Sequence, residues 1–237
     1  MLKNWVYYMQ RGLQLMWKKN DIELRSEFER MIFKNPHPMA GLPWEIGHHD
    51  KNLEEVLGEQ CIHGNSWSSN CSDCDEEESV LELGCGSGND AIWFAKKGFN
   101  VTAVDVSSAM IDIAKEKSKG LSNIKYIVDD VHQFSTEERF DIIYDRGFLH
   151  NTQLSLPKLF PRLHQLLKDD GKMIIITGNP NHKASKDTLP TPMYIKTIEE
   201  SSKNLFNIKL VKEIVFEQNE GYENSLGWLF ILEKRNE

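Results

Sequence analysis

From Ser79 onward the chain alternates short aliphatic runs with amphipathic stretches. VLELG reads as a buried strand, and NDAIWFAKKG as a helix ended by Gly98. NVTAVDVS and SAMIDIAKEKSK repeat the pair. NIKYIVDD is a third strand, and FDIIYDRG a fourth with aliphatic residues on both faces. LSLPKLFPRLHQLLKDDGK predicts a helix with Pro157 near its start, where Pro161 implies a kink or a late beginning. MIIITGN is a fifth strand, and TPMYIKTIEESSKNLF a loop and helix. IKLVKEIVFE and LGWLFILEK then follow as an antiparallel pair. Strands alternating with helices imply right-handed crossovers and a mainly parallel sheet.

The first part of the chain has a different texture. Leu2, Trp5, Val6, Met9, Leu13, Met16 and Trp17 recur at spacings of three and four, as do Ile22, Leu24, Phe28, Met31 and Ile32, so residues 1–35 read as helix. NPHPMAGLPWEIG breaks that pattern with prolines and glycines. KNLEEVL is a short helix, and CIHGNSWSSNCSDCDEEES a polar loop or insertion.

A chain of 237 residues falls within the size range of one domain. The formal charge of −8 argues against nucleic acid as main partner, because phosphate neutralisation needs clustered Lys and Arg. No apolar run approaches the roughly 18 residues that span a bilayer, and the N-terminus lacks a signal-peptide cleavage site. Four cysteines without an export signal fit a reducing compartment, so the expected location is cytoplasmic and membrane-free.

Glu82-Leu83-Gly84-Cys85-Gly86-Ser87-Gly88-Asn89-Asp90 lies between the first core strand and its helix. Glycines there let the backbone turn sharply and approach a ligand. The dinucleotide pattern G-x-G-x-x-G wants a small residue where Asn89 stands, and the Gly-Lys-Ser/Thr ending of a P-loop is missing. The spacing is E-x-G-x-G-x-G. Asp105 ends the second strand, where an acid can accept both ribose hydroxyls of a nucleoside. Asp129-Asp130-Val131 ends the third, where a carboxylate can take an adenine amino group. The bland alternative is a glycine turn with solvated, helix-capping acids.

From Ser79 to the C-terminus the chain resembles a class I S-adenosylmethionine (SAM)-dependent methyltransferase. VLELGCGSG is similar to that family's first motif, AVDVS to its second and VDDVHQF to its third. The resemblance implies an α/β Rossmann-like fold: a seven-stranded, mainly parallel sheet with helices on both faces and an antiparallel C-terminal edge. It implies SAM as cofactor and S-adenosylhomocysteine as product. Gly84, Gly86 and Gly88 would line the methionine and ribose, Asp105 would hold the ribose hydroxyls, and Val106 would belong to the cofactor-binding set. Asp130 and Val131 would meet the adenine, and Glu82 would support the loop or the methionine amino group. Pro43-Trp44-Glu45-Ile46-Gly47 and the stretch Phe140–Gly147 resemble the thiopurine, thiol, halide and tellurite-resistance methyltransferases. That implies a helical lid over residues 1–50 with Trp44 near the methyl donor; the alternative for Trp44 is a hydrophobic plug.

Methyl transfer chiefly needs acceptor and methyl held about 3 Å apart in a dry pocket. A thiol, halide or metalloid acceptor needs no strong base, whereas an amine or hydroxyl does. The catalytic candidates follow the fourth strand. Asp145 can orient the acceptor or the sulfonium end of the cofactor. Arg146 can hold an anionic substrate or pair with an acid for structure alone. His150 can be a base or a buried structural residue.

Cys61, His63, Cys71 and Cys74 make a permissible zinc set, with metal-ligand spacing between the last two. The alternatives are capture of a soft metalloid or an acidic loop with spare thiols. Cys85 reads as a small residue packed beneath the cofactor. The sequence thus predicts one domain over 1–237, with a lid over 1–50, a cysteine-containing loop over 58–78 and a Rossmann-like core over 79–237. The expected activity is methyl transfer to a small molecule, led by a soft nucleophile. An N- or O-methyltransferase of a metabolite is the runner-up, and a non-catalytic SAM- or metal-binding regulator the reading from another class. Oligomeric state is open.

Overall fold

The structure is a computed structural model, and it describes residues 44–58, 62–63, 66–67, 78–151, 155–181, 193–220 and 222–236. The helices expected over residues 1–35, most of the lid, and Cys61, Cys71 and Cys74 lie outside the described residues; of His63 only the backbone is described.

Helix α1 (Lys51–Leu57) starts at Asp50, whose carboxylate caps it by accepting from the Asn52 N–H at 2.9 Å. Two short strands follow, β1 (Ile62–His63) and β2 (Ser66–Trp67), paired antiparallel. They lie within the polar stretch expected as a loop or insertion, and two paired residues on each side are too few to show as hydrophobic alternation.

The core then runs in the expected order. It comprises β3 (Ser79–Leu83), α2 (Asn89–Lys96), β4 (Asn100–Asp105), α3 (Ser108–Lys117), β5 (Ile124–Val128) and β6 (Phe140–Arg146). After a short 3-10 turn (Leu149–Asn151) come α4 (Leu156–Leu166), β7 (Leu167–Gly178), α5 (Ile195–Ser202), β8 (Phe206–Phe216) and β9 (Ser225–Lys234).

Strands β3 to β9 form one seven-stranded sheet in the order β5-β4-β3-β6-β7-β9-β8. Strands β3 to β7 are mutually parallel, and β9 enters antiparallel between β7 and β8. Only β9 therefore opposes the others, and β8, on the outside, points the same way as the first five. The two sequences explain the placement. SLGWLFILEK is mostly buried, whereas NIKLVKE in β8 carries lysines suited to an unpaired edge.

Helix α4 ends earlier than its pattern suggests. Its buried stripe of Leu156, Leu159, Phe160, Leu163 and Leu166 runs to the last helical residue, and Leu167 already pairs with Phe140 in the sheet. The ladder then jumps to the pair Ile142 and Lys172, so Lys168-Asp169-Asp170-Gly171 bulges out of β7. Pro161 stays inside the helix.

Side-chain alternation divides the core between the two sheet faces. Leu81, Leu83, Ile143, Ile175 and Phe230 pack on α4 and α5. Val80, Ile142, Tyr144, Ile174 and Ile176 pack on α1, α2 and α3 through Leu53, Leu57, Ala91, Phe94 and Ile111. The chain moves outward from β3 to β5, then returns to β6 on the other side of β3. That reversal opens a crevice at the carboxyl ends of β3 and β6, where open α/β sheets hold ligands.

Candidate active site

The glycine loop leaves β3 at this crevice. Gly84, Gly86 and Gly88 have φ of 64°, 52° and 75°, a left-handed conformation that side chains disfavour. Space is short as well. A Cβ on Gly84 would lie 2.9 Å from the Cβ of Phe148, and one on Gly88 would lie 2.7 Å from the Tyr126 hydroxyl and 2.9 Å from the Cβ of Ala114.

Asp105 holds the loop from the next strand. Its carboxylate accepts from the Gly86 N–H at 2.8 Å and from the Ser107 N–H at 2.8 Å. Val106, just beyond, is 44% exposed, an apolar surface at the strand end. Asp130 accepts from the His132 N–H at 2.9 Å, and Val131 is buried against Phe134 and Leu83. Glu82 is buried at the base of the loop, with Oε2 unpartnered among the described residues. Burial, then Asp90 and Asp105, push its carboxyl well above the usual range. Burial also raises the Cys85 thiol, which is packing material rather than a nucleophile.

Asp145 and Arg146 end β6 on opposite faces. Asp145 is fully buried, and its Oδ1 accepts from the Phe148 and Leu149 N–H groups at 3.0 Å each. Its Oδ2 has no hydrogen-bond partner among the described residues. Burial drives the carboxyl up to about 8, against the backbone donors and Arg146, which pull it down. Arg146 takes the pairing alternative. Its Nε donates to Asp50 at 2.7 Å, its Nη2 to the Glu217 carbonyl at 2.9 Å and its Nη1 to the Trp44 carbonyl at 3.3 Å, and its guanidinium stacks 4.8 Å from the Phe216 ring centre. His150 is buried with Nδ1 3.2 Å from the Thr177 hydroxyl. Burial and Arg146 push it down to about 3, so it stays neutral.

The structure adds residues that sequence reasoning missed. Asp90, on the first turn of α2, accepts from the Asp50 N–H at 2.7 Å and from the Tyr144 hydroxyl at 3.1 Å. Burial lifts Asp90 to about 6, although Arg146 opposes. Glu45 accepts from the Ser87 hydroxyl at 2.8 Å and the Asn89 amide at 2.7 Å. Lys117 donates to both Ser87 and Asn89. The available signals were Asp50 as a capping residue before KNLEEVL and the acidic position after Trp44; neither names a partner. Trp44 is half-buried, and only its backbone carbonyl contacts the β6 end by hydrogen bond. Among the described residues, no group of three or more His, Cys, Asp or Glu is placed to hold a metal. None of the described helices is long and apolar enough to cross a membrane.

Residues 80–171 match the methyltransferase domain family. Malonyl-[acyl-carrier protein] O-methyltransferase 1 of Ilyobacter polytropus is 30% identical over 119 residues, covering 49% of this chain and 44% of that protein. Ubiquinone biosynthesis O-methyltransferase of Coxiella burnetii is 33% identical over 118 residues, 49% of this chain and 50% of that one. The chain thus spans about half the length of the curated relatives it matches. A structure reported for conversion of a disulfide bond into a thioacetal group during echinomycin biosynthesis superposes with a TM-score of 0.69 at 21% identity, covering 88% of this chain and 91% of that one. The N-methyltransferase NodS of Bradyrhizobium japonicum, in complex with S-adenosylhomocysteine, gives 0.63 at 16%, covering 89% and 98%. Such identities establish the fold alone. Residues 80–171 are thus similar to a methyltransferase domain, and the chain around them has a Rossmann-like fold.

Proposed function

We propose that the protein transfers the methyl group of SAM to a small-molecule nucleophile at the crevice between β3 and β6. The observation that carries this reading is the left-handed glycine loop braced by Asp105 at the point where the strand order reverses. The residues present fit the cofactor. A side chain at Gly84 or Gly88 would collide with its neighbours. On this reading Asp105 would take the ribose hydroxyls, Asp130 and Val131 would meet the adenine, the exposed Val106 would add apolar surface to the same site, and Glu82, with a buried unpartnered oxygen among the described residues, would face the methionine ammonium. When bound, SAM supplies a sulfonium methyl whose electron pair leaves with sulfur. The chain's task is to orient and desolvate the two reactants. Calorimetry tests the reading: Asp105→Ala should weaken SAM binding at least about tenfold, a loss of about 1.4 kcal/mol, and equal affinity would reject the site.

The acceptor we infer first is a soft nucleophile, a thiol, halide or metalloid. The resemblance of the Pro43–Gly47 and Phe140–Gly147 stretches supports it, as does a His150 too weakly basic to take a proton at neutral pH. A specific observation favours a second reading, methylation of a hydroxyl or amine. The unpartnered Asp145 Oδ2 belongs to a carboxyl poised near 8, within the useful range for a general base. The pH–rate profile separates the two. With Asp145 as base, activity rises with pH through about 8 and Asp145→Asn abolishes that limb. With a soft nucleophile, the profile follows the acceptor's own ionisation and survives the substitution.

A further inference from the structure

The glycine loop carries few side chains, and two of them, Ser87 and Asn89, turn toward one carboxylate. Glu45 receives the Ser87 hydroxyl on Oε2 at 2.8 Å and the Asn89 amide on Oε1 at 2.7 Å, and its Oε1 also accepts the Gly47 N–H at 3.3 Å. The Lys117 ammonium, at the end of α3, donates to Ser87 at 2.9 Å and to Asn89, and stands 3.9 Å from Glu45. Glu45 is largely shielded from solvent, with its side chain 10% exposed. Its oxygens also sit at the N-terminal end of α2, where a negative charge is favoured.

The segment bearing Glu45 is held at its other points by the end of β6 and the start of α2. Arg146 donates to the Trp44 carbonyl and the Asp50 carboxylate, and the Asp50 N–H donates to Asp90. Residues 44–50 therefore bridge the glycine loop to the β6 exit, across the crevice between β3 and β6. The loop itself is held on the sheet side by Asp105 at Gly86 and by the Cys85 N–H on the Val104 carbonyl. On the other side its side-chain contacts converge on Glu45 and Lys117.

From this geometry we infer that Glu45 is a positioning residue for the cofactor: it clasps Ser87 and Asn89 and keeps the glycine loop in its binding-competent shape. The inference rests on the methyltransferase reading above, and goes beyond it by giving residues 44–50 a role in affinity. Three left-handed glycines in five residues leave the loop many alternative shapes once its side chains are released. Apparent affinity falls in proportion to the fraction of protein in the competent shape. A clasp that raises this fraction from about one tenth to near unity is worth about tenfold in Kd.

The test measures SAM affinity by calorimetry and steady-state kinetics on the full chain. Glu45→Ala should raise Kd for SAM about tenfold or more, with kcat at saturating SAM held within about threefold. Glu45→Gln, which keeps an acceptor for one partner, should recover part of the loss. Ser87→Ala removes one of the bonds to Glu45 and the Lys117 bond to the same hydroxyl, and should raise Kd by a smaller factor without touching the acidic residue. An unchanged Kd in Glu45→Ala and Ser87→Ala would overturn the inference. So would a loss confined to melting temperature, the mark of a purely structural contact. Failure of the wild-type protein to bind SAM would instead refute the functional reading itself.

Discussion

Asp145 shows how burial alone sets the chemistry of a residue. Its folded value near 8 lies above the ordinary 3.8, so the native protein holds a proton that the unfolded chain releases. The associated stability is complete below about pH 4 and is lost as pH rises through about 8. Asp145→Asn keeps an acceptor for the Phe148 and Leu149 N–H groups and removes the titration. The variant's melting temperature should therefore gain on wild type by several degrees between about pH 5 and about pH 9. Parallel curves would show that the carboxyl is not held protonated. Gly88 makes the complementary point about space. Gly88→Ala combines a φ of 75° with a 2.7 Å approach to Tyr126, and should cost about 1–3 kcal/mol in chemical denaturation. The glycine turn was legible because left-handed backbone geometry is written in residue type. Pairing with an acid was one of the two readings of Arg146, but its partner was not legible, because Asp50 lies nearly a hundred residues earlier and no local pattern encodes that contact.

Elements were read best where the hydrophobic period was long. Strands β3 to β6 and helices α2 and α3 follow their patterns closely, with Gly98 in a left-handed turn after α2 as expected. The end of α4 was misread because LLKDD continues a plausible helix, while Leu167 gains more by pairing with β6. The position of β9 was also invisible: alternation predicts a pair of antiparallel strands but not which one lies inward. At this scale the buried Arg146–Asp50 pair joins α1 to β6, with Asp90 and Tyr144 completing the network. Arg146→Ala strands Asp50 in a dry site, and should destabilise the fold by about 3–5 kcal/mol. Arg146→Lys keeps the charge but not the forked geometry, and should fall between. Urea denaturation with a loss under about 1 kcal/mol for the alanine variant would contradict the network's role.

For the whole molecule, the division of labour runs along the sheet. Strands β3, β4 and β5 present the glycine loop, Asp105 and Asp130, whereas β6, β7 and β9 present Asp145, Thr177 and Trp228 on the face shared with α4 and α5. Trp228 Nε1 and Asp145 Oδ2 are both buried there without a hydrogen-bond partner among the described residues, which leaves polar atoms for a ligand on the proposed reading. On the proposed reading, the methyl donor sits against the first half and the acceptor against the second. The acceptor itself was not legible, because the motifs that announce a cofactor say little about the molecule methylated. The cysteine cluster at Cys61, His63, Cys71 and Cys74 is a separate question of composition, answered by metal analysis: near-stoichiometric zinc in purified protein supports the structural site, and its absence refutes it.

The most direct test of the central claim follows the methyl group itself. The protein is incubated with SAM labelled in the methyl carbon and a size-fractionated cell extract, and label is traced across fractions. The account predicts enzyme-dependent label in a small-molecule or volatile product, lost in Asp105→Ala at limiting SAM. Label in protein or nucleic acid, or in no fraction at all, would contradict it.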